Sequence, residues 1–188
     1  MRVWTIQLED VYDIVMKEGC YRCDGRYVDK YFKPAYQWLT KEMRHRIKKP
    51  NFRITYPIWA WHIWNDKNKK PDLRSSSFAK RGTKMVCLEL EIPDNEILLS
   101  DFNAWHFVLN NWYYNPNCDC EEIWDKDDEY LSTLSPNQRQ EMITDSWQHI
   151  FSIQKKNSDW FGRELWVQGT FWEIKKEYIK KATFFIAK

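Results

Sequence analysis

Trp166, Gln168, Thr170 and Trp172 alternate along W-V-Q-G-T-F-W, so a strand over this stretch turns all four side chains to one face. Leu165, Val167, Gly169 and Phe171 then form the other. Two indoles flanking an amide and a hydroxyl suit a planar polar ligand. An indole stacks on a base-like ring for about 1–3 kcal/mol, and an amide both donates and accepts hydrogen bonds. The opposing expectation is an amphipathic strand packed under a helix, with Gln168 satisfied locally. A second aromatic strand, P-I-W-A-W-H-I-W over 57–64, sets Trp59 and Trp61 on one face and His62 on the other. His62 has the ring for general acid–base work near neutral pH, although a lone His in an aromatic strand also serves structure. Thr5 and Gln7 offer further hydrogen bonds from an N-terminal strand. Arg74 lies beside Asp72 in a polar segment, where a guanidinium can clamp a phosphate or simply be solvated. His106 and Asn110, four residues apart, share a helix face.

The elements that must position these groups follow from periodicity. R-V-W-T-I-Q-L alternates as a strand, with Trp4, Ile6 and Leu8 on one side and Val3, Thr5 and Gln7 on the other. Residues 9–18 read as a helix with Val11, Ile14 and Val15 on one stripe, and Gly19 takes the left-handed position that ends it. Val28, Phe32, Ala35, Leu39, Met43 and Ile47 recur at three- and four-residue steps, which predicts a helix over 27–47 whose start Pro34 kinks or separates. The basic cluster at its C-terminal end complements the helix dipole. Strands are expected over 57–64, 84–92, 96–99, 165–174 and 183–187. Asp101 N-caps a helix over 102–112, and S-P-x-Q at 135–138 reads as a capping box opening a helix to about 153. Residues 66–83 read as a long polar loop and 115–128 as acidic and irregular. Strands and helices mix without βαβ alternation, which predicts an α+β fold and a single mixed domain over 1–188.

Composition narrows the function classes. The 12 Trp, 10 Tyr and 10 Phe are 17% of 188 residues, more rings than a core needs, so several indoles are expected to line a cleft or interface. A net charge of +2 from 29 basic and 27 acidic residues argues against a general nucleic-acid coat or a membrane-surface binder, though not against a local patch. With neither an 18-residue apolar run nor a signal-peptide core, the expectation is a cytoplasmic protein with no membrane partner. The five Cys read as reduced thiols. Cys20-x-x-Cys23 and Cys118-x-Cys120 have the make-up of a four-thiolate zinc site, with ordinary surface or core thiols as the simpler alternative. Only 5 Gly and no Gly-rich loop argue against P-loop and Rossmann chemistry.

Several segments carry a family resemblance: W-T-I-Q at 4–7, Y-R-C-D at 21–24, Y-P-I-W-A-W at 56–61, K-P-D-L-R at 70–74, L-E-L-E-I-P-D at 88–94, L-L-S-D-F-N-A-W-H-F-V-L-N-N-W at 98–112 and W-V-Q-G-T-F-W-E at 166–173. Together they resemble the bacterial domain-of-unknown-function family 3841 over nearly the whole chain, a resemblance that implies no assigned activity. The opening over 4–19, the 56–61 strand and the terminal strand also resemble, at the level of fold, small ADP-ribosyltransferases, including the DNA-modifying toxin group. That resemblance implies an ADP-ribosyltransferase-like split sheet with flanking helices and an NAD-binding half. Thr5 then takes the first motif position, where such enzymes often have His or Arg, and Gln168 the third, where a catalytic Glu often lies. Neither carries the expected charge, so what is implied is a nucleotide site whose transfer reaction is lost or altered.

The leading expectation is therefore a domain that binds NAD, a related nucleotide or another small molecule. Thr5, His62 and Gln168 take the catalytic positions, and Trp59, Trp166 and Trp172 stack on the ligand. Gln7 and Thr170 add hydrogen bonds, and Arg74 meets a phosphate. The alternative is a non-enzymatic module for single-stranded nucleic acid or a modified base, using the same face and the basic loop. A third expectation is an interaction protein whose surplus Trp form an oligomer interface.

Overall fold

The alternating N-terminal segment forms the strand it predicts, β1 (Arg2–Leu8), and β1 runs through the middle of the molecule. The computed structural model describes residues 1–25, 28–50, 56–75, 78–155 and 164–188. Helix α1 (Glu9–Glu18) follows directly and ends as expected at Gly19, whose φ of 84° is left-handed and whose N–H donates to Val15 O at 2.9 Å. Strand β2 (Cys20–Tyr21) comes next, then a 3₁₀ turn at Lys30–Phe32 and helix α2 (Lys33–Arg46). Pro34 falls in the first turn of α2, where its missing N–H costs nothing, so it starts the helix rather than kinking it. Of the helix expected over 27–47, Tyr27 lies outside the described residues, and the part before Pro34 forms the separate 3₁₀ turn at Lys30–Phe32, one of the two outcomes expected there. Strands β3 (Ile58–Ile63), β4 (Lys84–Glu91) and β5 (Ile97–Asp101) precede helices α3 (Phe102–Leu109), α4 (Glu121–Ser132) and α5 (Pro136–Ser146). A 3₁₀ turn over Trp147–Phe151 continues α5. The chain closes with β6 (Val167–Phe171), β7 (Ile174–Lys175) and β8 (Ile179–Ile186).

Six strands make one sheet in the order β5-β6-β3-β1-β4-β8, every neighbour antiparallel, and β2 pairs with β7 as a separate ribbon. The architecture is α+β. β1 pairs with β4 along its whole length, from Arg2↔Glu91 to Leu8↔Met85, but among the described residues it meets β3 at the single register pair Trp4↔Trp61. The split sheet implied by the ADP-ribosyltransferase-like resemblance is not what forms: the six strands make one continuous antiparallel sheet, lightly stitched between β1 and β3.

Each face of the sheet has its own core. On one, α1 lays Val11 and Val15 over Val3, Val86, Leu88, Leu90 and Phe171. On the other, α2, α3 and the 147–151 turn bring Leu39, Met43, Trp105, Val108, Trp147 and Ile150 over Leu98 and Trp59. Each fully buried aliphatic side chain contributes about 1.5–3 kcal/mol. At Gly169, where β6 passes β5, an added Cβ would come within 2.5 Å of Ile97 Cδ1, so a larger residue would have to push the Ile97 side chain aside.

Three elements differ from expectation. The acidic 115–128 stretch contains most of α4: Glu121 and Glu122 complement the dipole at its N-terminus, and Ile123, Trp124 and Leu131 share one side of it. The strand expected over 165–174 breaks after Phe171, where the chain leaves β5 and β3 and Ile174 joins the ribbon with Tyr21. β8 starts at Ile179 rather than 183, because a bulge at Glu89/Leu90 lets the pairing with β4 run on past Lys181.

Candidate functional site

Register decides which side chains of the central strands share a face. Ser100 on β5 pairs with Gln168 on β6, Gln168 with Trp61 on β3, and Trp61 with Trp4 on β1, so these four form one row on the α2/α3 face. Thr170 lies opposite Trp59 in the next row. The faces expected within each strand, Trp59 with Trp61 and Gln168 with Thr170, fall on the same side of the sheet, while Trp172 lies beyond the end of β6.

A bulge adds to it. Pairing between β3 and β6 shifts between Trp61 and Ile63, which inserts a residue at His62. Trp61 and Trp64, three apart, therefore meet edge to face at 4.7 Å, and Trp64 meets Trp166 at 4.8 Å. Phe102, at the start of α3, closes on Trp61 at 4.9 Å. Immediately after Trp64, Asn65 and Asp66 have positive φ values of 53° and 63°, and Trp64 N donates to Lys67 O at 2.9 Å, a two-residue turn of the mirror-image type. Asp66 Oδ1 accepts from the Leu165 N–H and pairs with Lys155, both at 2.9 Å. The Leu165 hydrogen bond and the Lys155 ammonium hold the Asp66 carboxyl below its usual range. This latch holds the approach to β6, and with it Trp166, against Trp64.

Within this aromatic wall, polar groups lack partners. Among the described residues the Gln168 amide makes no hydrogen bond, and the indole N–H groups of Trp61, Trp64 and Trp166 make none either. Ser100 Oγ, directly opposite Gln168 and 1% exposed, is buried without a partner. Trp59 Nε1 is buried beside the Tyr36 phenol, its ring packed against Trp105 at 5.0 Å and Tyr36 at 6.3 Å. Burial pushes the Tyr36 phenol up, and the neighbouring indole only partly offsets this. Gln168 and the three indoles are half-buried and open to water, whereas the Ser100 hydroxyl is buried, and a buried polar group ordinarily finds a partner.

The remaining expected site residues lie elsewhere. Thr5 and Gln7 point to the opposite face of the sheet. Thr5 is fully buried, its hydroxyl donating to Trp59 O at 2.7 Å and accepting from Gln7 Nε2 at 2.6 Å. Thr5 and Gln168 are thus separated by the sheet, since alternation reverses the side chain at each residue and Trp4 holds the Gln168 row. His62 leaves the wall too, and its Nδ1 lies 3.2 Å from both Arg2 O and Asn68 Nδ2. Arg74 is clamped by Asp72 through Nε at 2.9 Å and Nη2 at 2.6 Å. Thr170 does share the Gln168 face, but it is fully buried and its hydroxyl is used on Leu98 O at 3.3 Å. Trp172 is 5% exposed and donates from Nε1 to Lys48 O at 2.9 Å, with the Arg44 guanidinium 5.3 Å from its ring centre.

Trp172 borders a second cleft of about 320 Å³, where Glu96 accepts from Tyr178, from Lys175 at 3.1 Å and from Lys48 at 3.0 Å. Burial would raise the Glu96 carboxyl, but these three donors outweigh it and pull it down to about 2. The five thiols are free, and among the described residues no group of three or more His, Cys, Asp or Glu is placed to hold a metal ion. No helix among them is long and apolar enough to cross a membrane.

Sheet and site together define an α+β domain whose central antiparallel strands present an aromatic, partly unsatisfied polar wall. The chain belongs to the family described as Domain of unknown function (DUF3841), whose model matches residues 2–180. No curated protein and no solved structure matches it.

Proposed function

We propose that this chain is a ligand-binding domain that takes a planar polar ring, of the kind found in NAD and related nucleotides, against the Trp61–Trp64–Trp166 wall. One observation carries the reading: the half-buried Gln168 amide stands beside an indole cluster, opposite a buried Ser100 hydroxyl, and neither group has a side-chain hydrogen-bond partner among the described residues. A heteroaromatic ring with a donor and an acceptor on one edge would satisfy both groups while stacking on the indoles. The strands that the ADP-ribosyltransferase-like resemblance marks as motif carriers, β1, β3 and β6, are adjacent at the centre of the sheet, but Thr5 and Gln168 lie on opposite faces, so the nucleotide class rests on the Gln168 wall alone. Thr5 contributes through the backbone of β3 rather than by contact.

Calorimetric and thermal-shift titration with NAD, ADP-ribose and a short single strand tests this. NAD or ADP-ribose should raise the melting temperature. Gln168→Ala should weaken that binding about tenfold or more, the scale of a lost buried hydrogen bond, with the unliganded protein melting as before. Stabilisation by the single strand alone would replace this reading with the nucleic-acid module. No stabilisation by any of the three would remove it.

A further inference from the structure

The two edges of the main sheet are unlike. β5 is flanked by the 147–151 turn, whereas among the described residues no strand pairs with β8 on its outer side. Hydrogen-bond alternation decides which β8 backbone groups are left over. Met1 and Ile92 exchange both backbone bonds, at 2.9 and 2.6 Å, so Leu90, Leu88 and Val86 of β4 bond towards β1. Cys87 and Met85 then bond towards β8, to their register partners Thr183 and Phe185. Ala187 has the same phase: its N–H donates to Thr83 O and its C=O accepts from the Gly82 N–H, both at 2.9 Å. The N–H and C=O groups of Ala182, Phe184 and Ile186 therefore point outward along the free edge.

Edges of this kind are commonly blunted by charge. Lys180 and Lys181 blunt the start of β8, beside the bulge, but A-T-F-F-I over 182–186 carries no charge. Phe184 and Ile186 are 51% and 55% exposed. They share the α1 side of the sheet with Val86, and Tyr12 of α1 meets Phe184 edge to face at 5.1 Å. The two sides of this edge differ in charge. On one, α1 carries Glu9, Asp10, Asp13 and Glu18 against its own Lys17 and Lys84 of β4, which disfavours further carboxylates. On the other, Lys181 shares its row with Glu89, which already accepts the Trp4 indole N–H at 3.3 Å and pairs with Arg2 at 3.9 Å. The Lys70 charge is felt at Cys87 on that side, and the Lys188 charge at Asp72, which Arg74 clamps. Among the described residues Lys70, Lys181 and Lys188 form no ion pair.

We propose that the outer edge of β8 takes an extended peptide segment of a partner protein as a seventh, antiparallel strand. The residues of that segment facing α1 are apolar and cover Phe184 and Ile186. The alternate ones are acidic and face the side of Lys181 and Lys70. A helix or a compact small molecule would leave the row of outward N–H and C=O groups unpaired. A second copy of the chain fits worse. Antiparallel pairing of two β8 edges about Phe184 sets Lys180 opposite Lys188 at both ends, and like charges directly opposite destabilise a ladder. β8 lies four strands from β6, so this surface is independent of the Gln168 wall.

The test is fluorescence anisotropy with calorimetry, using the whole chain and an end-labelled peptide, Val-Glu-Val-Glu-Val-Glu-Val. Saturable binding is expected, and it should weaken as salt rises. The same peptide with Lys for Glu should bind about tenfold weaker. Two N-methylated forms of the acidic peptide decide the mode. In the proposed register the Val N–H groups face β8 and the Glu N–H groups face away. Methylating the Val amides should therefore abolish binding, and methylating the Glu amides should leave it. Phe184→Ala, an exposed position, should weaken the acidic peptide about tenfold, with the melting temperature as the check on folding. Lys181→Glu should erase the preference for the acidic peptide over the lysine one. Equal binding of the two N-methylated forms, equal binding of the acidic and lysine peptides, or no saturable binding overturns the proposal. So does a dimer of the chain alone, seen by light scattering and dissolved by Phe184→Ala, which would give the edge to a second copy. Gln168→Ala serves as a control and should leave peptide binding unchanged.

Discussion

Glu96 has the most strongly organised charge of the second cleft, and it makes the fold sensitive to acid. Its carboxyl is pulled down to about 2 from an ordinary 4.5. Between those values the unfolded chain takes up a proton that the folded chain refuses, so stability rises with pH across that window. The contribution is complete above about 4.5 and is lost as the pH falls toward 2. In urea titrations at a series of pH values, Glu96→Gln should flatten the dependence in that window and lower stability at pH 7. A variant with the slope of the parent would remove Glu96 from this role. At the residue scale, the shared face of Gln168 and Thr170 was legible because alternation assigns faces within a strand, whereas Trp172 falls past the end of β6 and borders the Glu96 cleft instead. Trp64 was not, because a bulge reverses the count after Trp61. Thr5 was placed with Gln168 because alternation within one strand says nothing about which faces of two strands meet; register settles that.

At the scale of elements, local signals were the most dependable. The capping box forms as its spacing predicts: the Ser135 hydroxyl accepts from the Gln138 N–H, and the Gln138 side chain accepts from the Ser135 N–H at 3.2 Å. Ser135→Ala should cost about 0.5–2 kcal/mol, measured by chemical denaturation. Because α5 carries Gln140, whose amide exchanges hydrogen bonds with Asn111 at 3.0 and 2.9 Å, the same change should loosen the turn that ends α3. The N-cap expected of Asp101 forms as well, accepting from the Asn103 and Ala104 N–H groups at 2.8 and 3.0 Å. Helix α4 escaped because its charge density hides a sparse apolar stripe. The β2–β7 ribbon escaped because two-residue strands have no period to detect.

For the molecule as a whole, the two cores predict where truncation hurts. Met43, fully buried between α2 and the 147–151 turn, should lose about 2–5 kcal/mol on change to Ala. A loss well below that range in denaturant titration would mean that the face collapses around the gap. The α+β class was readable from the order of elements. The strand order was not, since no pair of neighbours in the main sheet is joined by a short turn that would betray it.

That last property has a kinetic consequence. β1 leaves the start of the chain, yet it is locked along its length only when β4 arrives some eighty residues later, and β4 in turn receives β8 from the other terminus. β6 must bridge β5 and β3 after three helices have intervened. Without a hairpin to nucleate the main sheet, each ladder closes a long loop before any pairing is gained, which places refolding in the slow range of milliseconds to seconds. The one-pair seam between β1 and β3 divides the sheet into β1-β4-β8 and β3-β6-β5, so amide exchange should show the two halves opening as separate units, parting first at Trp4 and Trp61.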